Sequence, residues 1–88
     1  MKLKLKGTEA AVEGTSTTNG GNVGLATLVR VHNGGGTRRL VSLETSAAAL
    51  IGTFTIAPNA TEYLDKTSTD EIFAAHADIL LVGVAYYS

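Results

Sequence analysis

The stretch Leu25-Ala26-Thr27-Leu28-Val29-Arg30-Val31-His32-Asn33, with Gly34-Gly35-Gly36 behind it, decides the fold class. An extended chain turns successive side chains to opposite faces. Leu25, Thr27, Val29 and Val31 therefore fall on one side, and Ala26, Leu28, Arg30 and His32 on the other. With its β-branched residues, the segment reads as a half-buried strand. The glycines after Asn33 predict a hairpin, with a return strand over 37–45 that sets Val41 and Leu43 on one face.

The same reading extends outward. Residues 50–57 form a strand with Phe54 and Ile56 inward, stopped at Pro58-Asn59 because proline cannot donate to a ladder. Residues 60–66 alternate again, with Glu62, Leu64 and Lys66 on one side and Tyr63 and Asp65 on the other. The most apolar segment, 79–87, reads as a strand covered on both faces. At the N-terminus Lys2, Lys4 and Lys6 alternate with Leu3 and Leu5, a half-buried strand with the leucines on one face and, on the other, lysines that blunt an exposed edge. Ser68-Thr69-Asp70-Glu71 has the spacing of a capping box and predicts one short helical turn before Ile72. The expected fold is all-β: a compact antiparallel β-sandwich or small barrel of about six strands with one short helical turn. Residues 1–24 are expected to form an N-terminal strand and a polar Gly/Thr-rich arm, and 25–88 the β-sandwich domain.

The chain has 88 residues, enough for a single domain. Seven basic against eight acidic side chains give a net charge of −1, which argues against a nucleic-acid or membrane-surface binder relying on bulk positive charge. The absence of cysteine excludes disulfides, thiolate catalysis and zinc-thiolate sites. The apolar run at 79–87 is far shorter than the ~20 residues of a membrane-spanning helix. The N-terminus lacks the apolar middle of a signal peptide, so synthesis in a cytoplasm is expected. A domain this small has a marginal core. Without disulfides or a metal, self-association is the expected support.

No residue pattern points to catalysis. His76 and Asp78 are two apart, as metal ligands on an extended segment would be, but no third ligand stands at diagnostic spacing. His32 reads as a polar cap on the hairpin. Asn33-Gly34-Gly35-Gly36-Thr37-Arg38-Arg39 has the glycines and arginines of a phosphate loop, yet a strand follows where such a loop needs Gly-Lys-Ser/Thr and a helix. Asp70 and Glu71 read as caps, and Asp65 as a partner for Lys66. Neither a catalytic residue nor a cofactor or metal site is assigned. The candidate functional residues are interfacial: Leu3 and Leu5 on the N-terminal strand, Arg38 and Arg39 after the glycines, and Tyr86 and Tyr87 at the C-terminus.

Several segments carry a family resemblance. They are Ala26-Thr27-Leu28-Val29-Arg30-Val31-His32-Asn33, Gly52-Thr53-Phe54-Thr55-Ile56-Ala57-Pro58, the run from Glu62 to Ala75 with Lys66-Thr67-Ser68-Thr69-Asp70 inside it, and Val82-Gly83-Val84-Ala85-Tyr86. Together they resemble the small virion structural proteins of tailed phages of the marine cyanophage type, over residues 25 to 87. The resemblance implies a non-enzymatic virion protein, assembled in the host cytoplasm. A capsid decoration or cement role would act through a homo-oligomer on the major capsid protein or another virion protein, without nucleic acid or membrane. A tail, neck or fibre-associated component uses the same kind of domain. A carbohydrate-binding module is the remaining class, disfavoured by the lack of tryptophan.

Overall fold

A computed structural model describes residues 2–12 and 21–87, with Tyr86 and Tyr87 described in their backbone only. Eight strands follow one another: β1 (Lys2–Leu5), β2 (Ala10–Ala11), β3 (Leu28–Asn33), β4 (Arg39–Glu44), β5 (Leu50–Ile56), β6 (Thr61–Asp65), β7 (Glu71–Ala74) and β8 (Ile79–Tyr87). All pairings are antiparallel, and no helix occurs among the described residues. One sheet runs β1-β8-β3-β6, with β2 also on β8, and the other runs β5-β4-β7. The all-β sandwich expected from the alternation is therefore present.

Its strands are eight rather than six, and three local expectations are overturned. The glycines after Asn33 make no hairpin: β3 and β4 lie in different sheets, so the connection crosses the sandwich. The reason is Asn33, whose buried amide donates to Thr37 O at 2.8 Å and Ile56 O at 3.2 Å, while its Oδ1 accepts the Gly35 N–H at 3.0 Å. The capping-box spacing at 68–71 makes no helix. Asp70 N donates to Thr67 O and its carboxylate accepts the Thr67 N–H, closing a tight turn, after which Glu71–Ala74 is strand β7. The buried alternation of Ile72 and Ala74, at 0% and 1% exposure, outweighs the local signal. Lastly, β3 starts at Leu28 rather than Leu25. Val23, Gly24 and Leu25 are three successive residues with positive φ (57°, 65° and 62°), and Asn22 Oδ1 accepts the Leu25 N–H at 3.3 Å. Two of them carry side chains that disfavour this region, so the turn holds backbone strain.

The core lies between the sheets. Val29 and Val31 of β3 meet Val41, Ile56, Ile72 and Ala74 of the second sheet and Ile79 and Leu81 of β8, with Phe54, Leu43 and Leu64 packed at its margin. Phe54 and Ile56 face inward as the alternation predicts, Ile56 fully and Phe54 half-buried.

The N-terminal strand is part of this architecture. β1 pairs with the end of β8 (Leu5 opposite Val84) and β2 with its start (Ala10 opposite Leu81). Between those pairs the N-terminal chain advances five residues and β8 three; Lys6 N still donates to Gly83 O, so the two extra residues form a bulge between Lys6 and Ala10. Of the expected polar arm, residues 13–20 lie outside the described residues. At Gly21 the chain bridges to Ile72 on β7, in the second sheet.

Candidate functional site

Among the described residues four places bring polar or reactive groups together, and each can be judged by what its atoms can do.

At one end of the sandwich His76 and Asp78 meet Arg39. Asp78 Oδ2 lies 3.3 Å from Arg39 Nη2 and 3.2 Å from His76 Nδ1, and the Asp78 N–H donates to that nitrogen at 3.1 Å. Gly35 packs so closely here that a Cβ on it would fall 2.1 Å from Asp78 Oδ2. The Gly34 N–H donates to Asp78 O, so the trio ties the β3–β4 and β7–β8 connections together. It holds one carboxylate and one imidazole, and among the described residues no group of three or more His, Asp or Glu side chains converges as metal ligands would. His32 stands apart, its Nδ1 2.8 Å from Thr61 Oγ1, bracing β3 on β6 rather than capping a hairpin.

At the opposite end Glu44 and Glu71 sit directly across from each other on β4 and β7. Glu44 is fully enclosed, and neither carboxylate oxygen has a hydrogen-bond partner. Burial, and then the neighbouring charge of Glu71, push its carboxyl above the usual range. Lys66 is also buried. Its Nζ donates to Thr67 O and Ser68 O, both at 3.2 Å, and not to Asp65 as the sequence spacing predicted. Burial lowers its basicity, against the raising influence of Asp70 and Glu71.

A cavity of about 260 Å³ opens between the N-terminal bulge and the left-handed turn, lined by Lys6, Gly7, Thr8, Val23, Gly24 and Gly83 among others. Among the described residues its lining supplies one ammonium and one hydroxyl, with no imidazole or carboxyl group to form a reactive pair.

The fourth place is the surface of the first sheet. β1 is not half-buried as its alternation predicts: it lies at the sheet's edge beyond the core, and all four residues are exposed, with Leu3 at 40% and Leu5 at 65%. On the face turned away from the core, Arg30 pairs with Glu9 at 2.6 Å. Arg30 lies directly opposite Val82 of β8, and Glu9 stands just before Ala10, which pairs with Leu81 on the other side of β8. Val82 and Val84 are buried on this face, so β8 is covered on both sides as far as Val84, as expected.

The six residues singled out from sequence fall into two groups. Leu3 and Leu5 lie beside the end of β8, with Leu3 opposite Tyr86 and Lys2 opposite Tyr87; the side chains of Tyr86 and Tyr87 lie outside the described residues. Arg38 is exposed and Arg39 is bound to Asp78, just before β8 begins. The length of β8, roughly 25 Å at ~3.3 Å per residue, separates the two groups. Sequence reasoning missed Asn33, Glu44 and the Glu9–Arg30 pair. Only Arg30, a cation amid apolar alternation, carried a signal. Comparison with protein-family models, curated proteins and solved structures yields no match to this chain.

Proposed function

We propose that this chain is a non-catalytic structural protein of a tailed-phage virion, acting as an oligomeric decoration or cement subunit on the capsid. The family resemblance over residues 25 to 87 motivates the choice of virion. The observation that carries an assembly role is β1: a strand fixed to the body on one side, exposed on both faces, with Leu3 and Leu5 at 40% and 65% exposure. Apolar side chains in such numbers on an edge strand invite pairing with another chain. The Arg39–Asp78–His76 trio and the Arg30–Glu9 pair favour the same reading, since both brace one strand connection or strand against another. In this role the contact surface and the copy number do the work, bridging neighbouring shell subunits against outward pressure. Antibody labelling of particles from the culture that encodes the chain tests it. Regular labelling of capsids is expected; the chain in the soluble fraction alone, with unlabelled particles, overturns the proposal.

A further inference from the structure

The two outer strands of the first sheet carry opposite charge. β1 presents Lys2 and Lys4, continued by Lys6, around Leu3 and Leu5, while β6 presents Glu62 and Asp65 around Tyr63, which is 44% exposed. Among the described strands each has one neighbour, β8 for β1 and β3 for β6. From these edges we infer that β1 of one copy pairs with β6 of a second copy, continuing the sheet from molecule to molecule. The inference deepens the assembly role proposed above and rests on it.

Three constraints select this contact and its register. The first is direction. The order β1-β8-β3-β6 alternates direction at each step, so β1 and β6 run oppositely. A neighbour in the same orientation therefore brings its β1 antiparallel to β6, the stronger pairing.

The second is ladder phase. Lys6 N donates to Gly83 O, which makes that pair hydrogen-bonded and turns the backbone groups of Leu3 and Leu5 away from β8. Lys66 N donates to Thr27 O, which likewise turns those of Thr61 and Asp65 away from β3. Leu3 and Leu5 must then face odd-numbered residues of β6.

The third is side-chain match. Setting Leu5 opposite Thr61 places Lys4 opposite Glu62, Leu3 opposite Tyr63 and Lys2 opposite Leu64. Slipping by two residues one way sets Lys2 against Lys66 and Leu3 against Asp65, which is unfavourable. Slipping the other way sets Lys2 against Glu62 but carries Lys4 and Leu5 past the start of β6 and loses the Leu3–Tyr63 pair. A two-fold pairing of β1 with itself, centred on Lys4, opposes that lysine to its own copy and loses on the same ground.

The contact is heterologous: the two surfaces differ. It therefore closes into a ring or grows as a filament, according to the rotation between copies. The chosen register also staggers neighbours along the strands, which a ring takes up by strand tilt.

The test uses the full chain, which has no cysteine of its own. A Lys4→Cys chain and a Glu62→Cys chain are mixed and oxidised. Cross-linking between the two unlike chains is expected to exceed either like pair. Dominant Lys4→Cys self-pairs, or no cross-link above that of a surface control such as Ser46→Cys, overturn the inference. In light scattering, Lys4→Glu or Glu62→Lys alone should weaken self-association roughly fivefold to tenfold, and the double exchange should restore it. Masses unaffected by the single exchanges overturn the contact. Labelled particles alongside that result leave the virion role standing, whereas charge-dependent association with unlabelled particles does the reverse.

Discussion

Arg30 reaches across β8 to Glu9, Nη1 to Oε2 at 2.6 Å, on the face away from the core where Val82, opposite Arg30 in the ladder, is only 4% exposed. The contact links β3 to the chain entering β2, so an ion pair helps hold the N-terminal strands to the body. Both partners are partly solvated, which limits the pair to about 0.2–1 kcal/mol. Glu9→Gln should therefore barely move the global melting temperature. It should speed hydrogen exchange at the Lys6 and Val12 amides, which bond to Gly83 and Ile79. Exchange at Val29 and Val31 should stay unchanged. Protection of Lys6 and Val12 equal to that of the parent protein would show that the pair does not secure these strands.

Gly83 is required by a close approach rather than by backbone conformation. A Cβ there would lie 2.9 Å from the Ala26 Cβ and 3.5 Å from Val23 O. Ala26 cannot yield easily, because the strained turn at Val23–Leu25 fixes it. Gly83→Ala should destabilise the protein by about 1–3 kcal/mol in denaturant unfolding. Adding Ala26→Gly should recover part of the loss. Equal stability of the single and double variants would place the strain elsewhere.

Asn33 joins two connections, β3–β4 and β5–β6, at one end of the sandwich. Beyond its side-chain bonds, its N–H donates to Ala60 O and its carbonyl accepts the Asn59 N–H. Asn33→Ala leaves buried carbonyls and an amide without partners, an expected loss of about 1–3 kcal/mol. Asn33→Asp should be at least as harmful, because a carboxylate cannot donate to Thr37 O and Ile56 O. Aspartate restoring stability would show that the donor role assigned to Nδ2 is wrong.

The strands were legible because burial on one face imposes a period of two. Val29 with Val31, Phe54 with Ile56, and the apolar β8 all follow it. Connectivity was not legible, because it depends on contacts remote in sequence. The Asn33-Gly34-Gly35-Gly36 segment satisfies a hairpin locally, yet Asn33 bonds to Ile56, far along the chain, and β4 enters the other sheet. Likewise Ser68–Glu71 suits a helix start, but Ile72 and Ala74 bury in the core only as a strand. Of the interfacial candidates, the alternation of Leu3 and Leu5 with lysines marked the exposed edge. The complementary role of β6 needed the sheet order, which places those two strands at its opposite edges.

Glu44 offers a pH signature whose sign follows from its surroundings. Its carboxyl is raised above 4.5, first by burial and then by the charge of Glu71 opposite. The folded state therefore holds this proton more tightly than the unfolded state. The resulting stabilisation is fully present below the unfolded value and is lost as pH rises through the raised folded value. Melting temperature should thus fall across that window on account of this group. Glu44→Gln keeps the shape and removes the charge. It should raise the melting temperature at pH 7 and flatten the profile above pH 4.5, while Glu71→Gln should flatten it only in part, since burial is the larger cause. Profiles measured from pH 4 to 8 decide the matter. A Glu44→Gln profile parallel to that of the parent protein would show that the carboxyl titrates alike in the folded and unfolded chains.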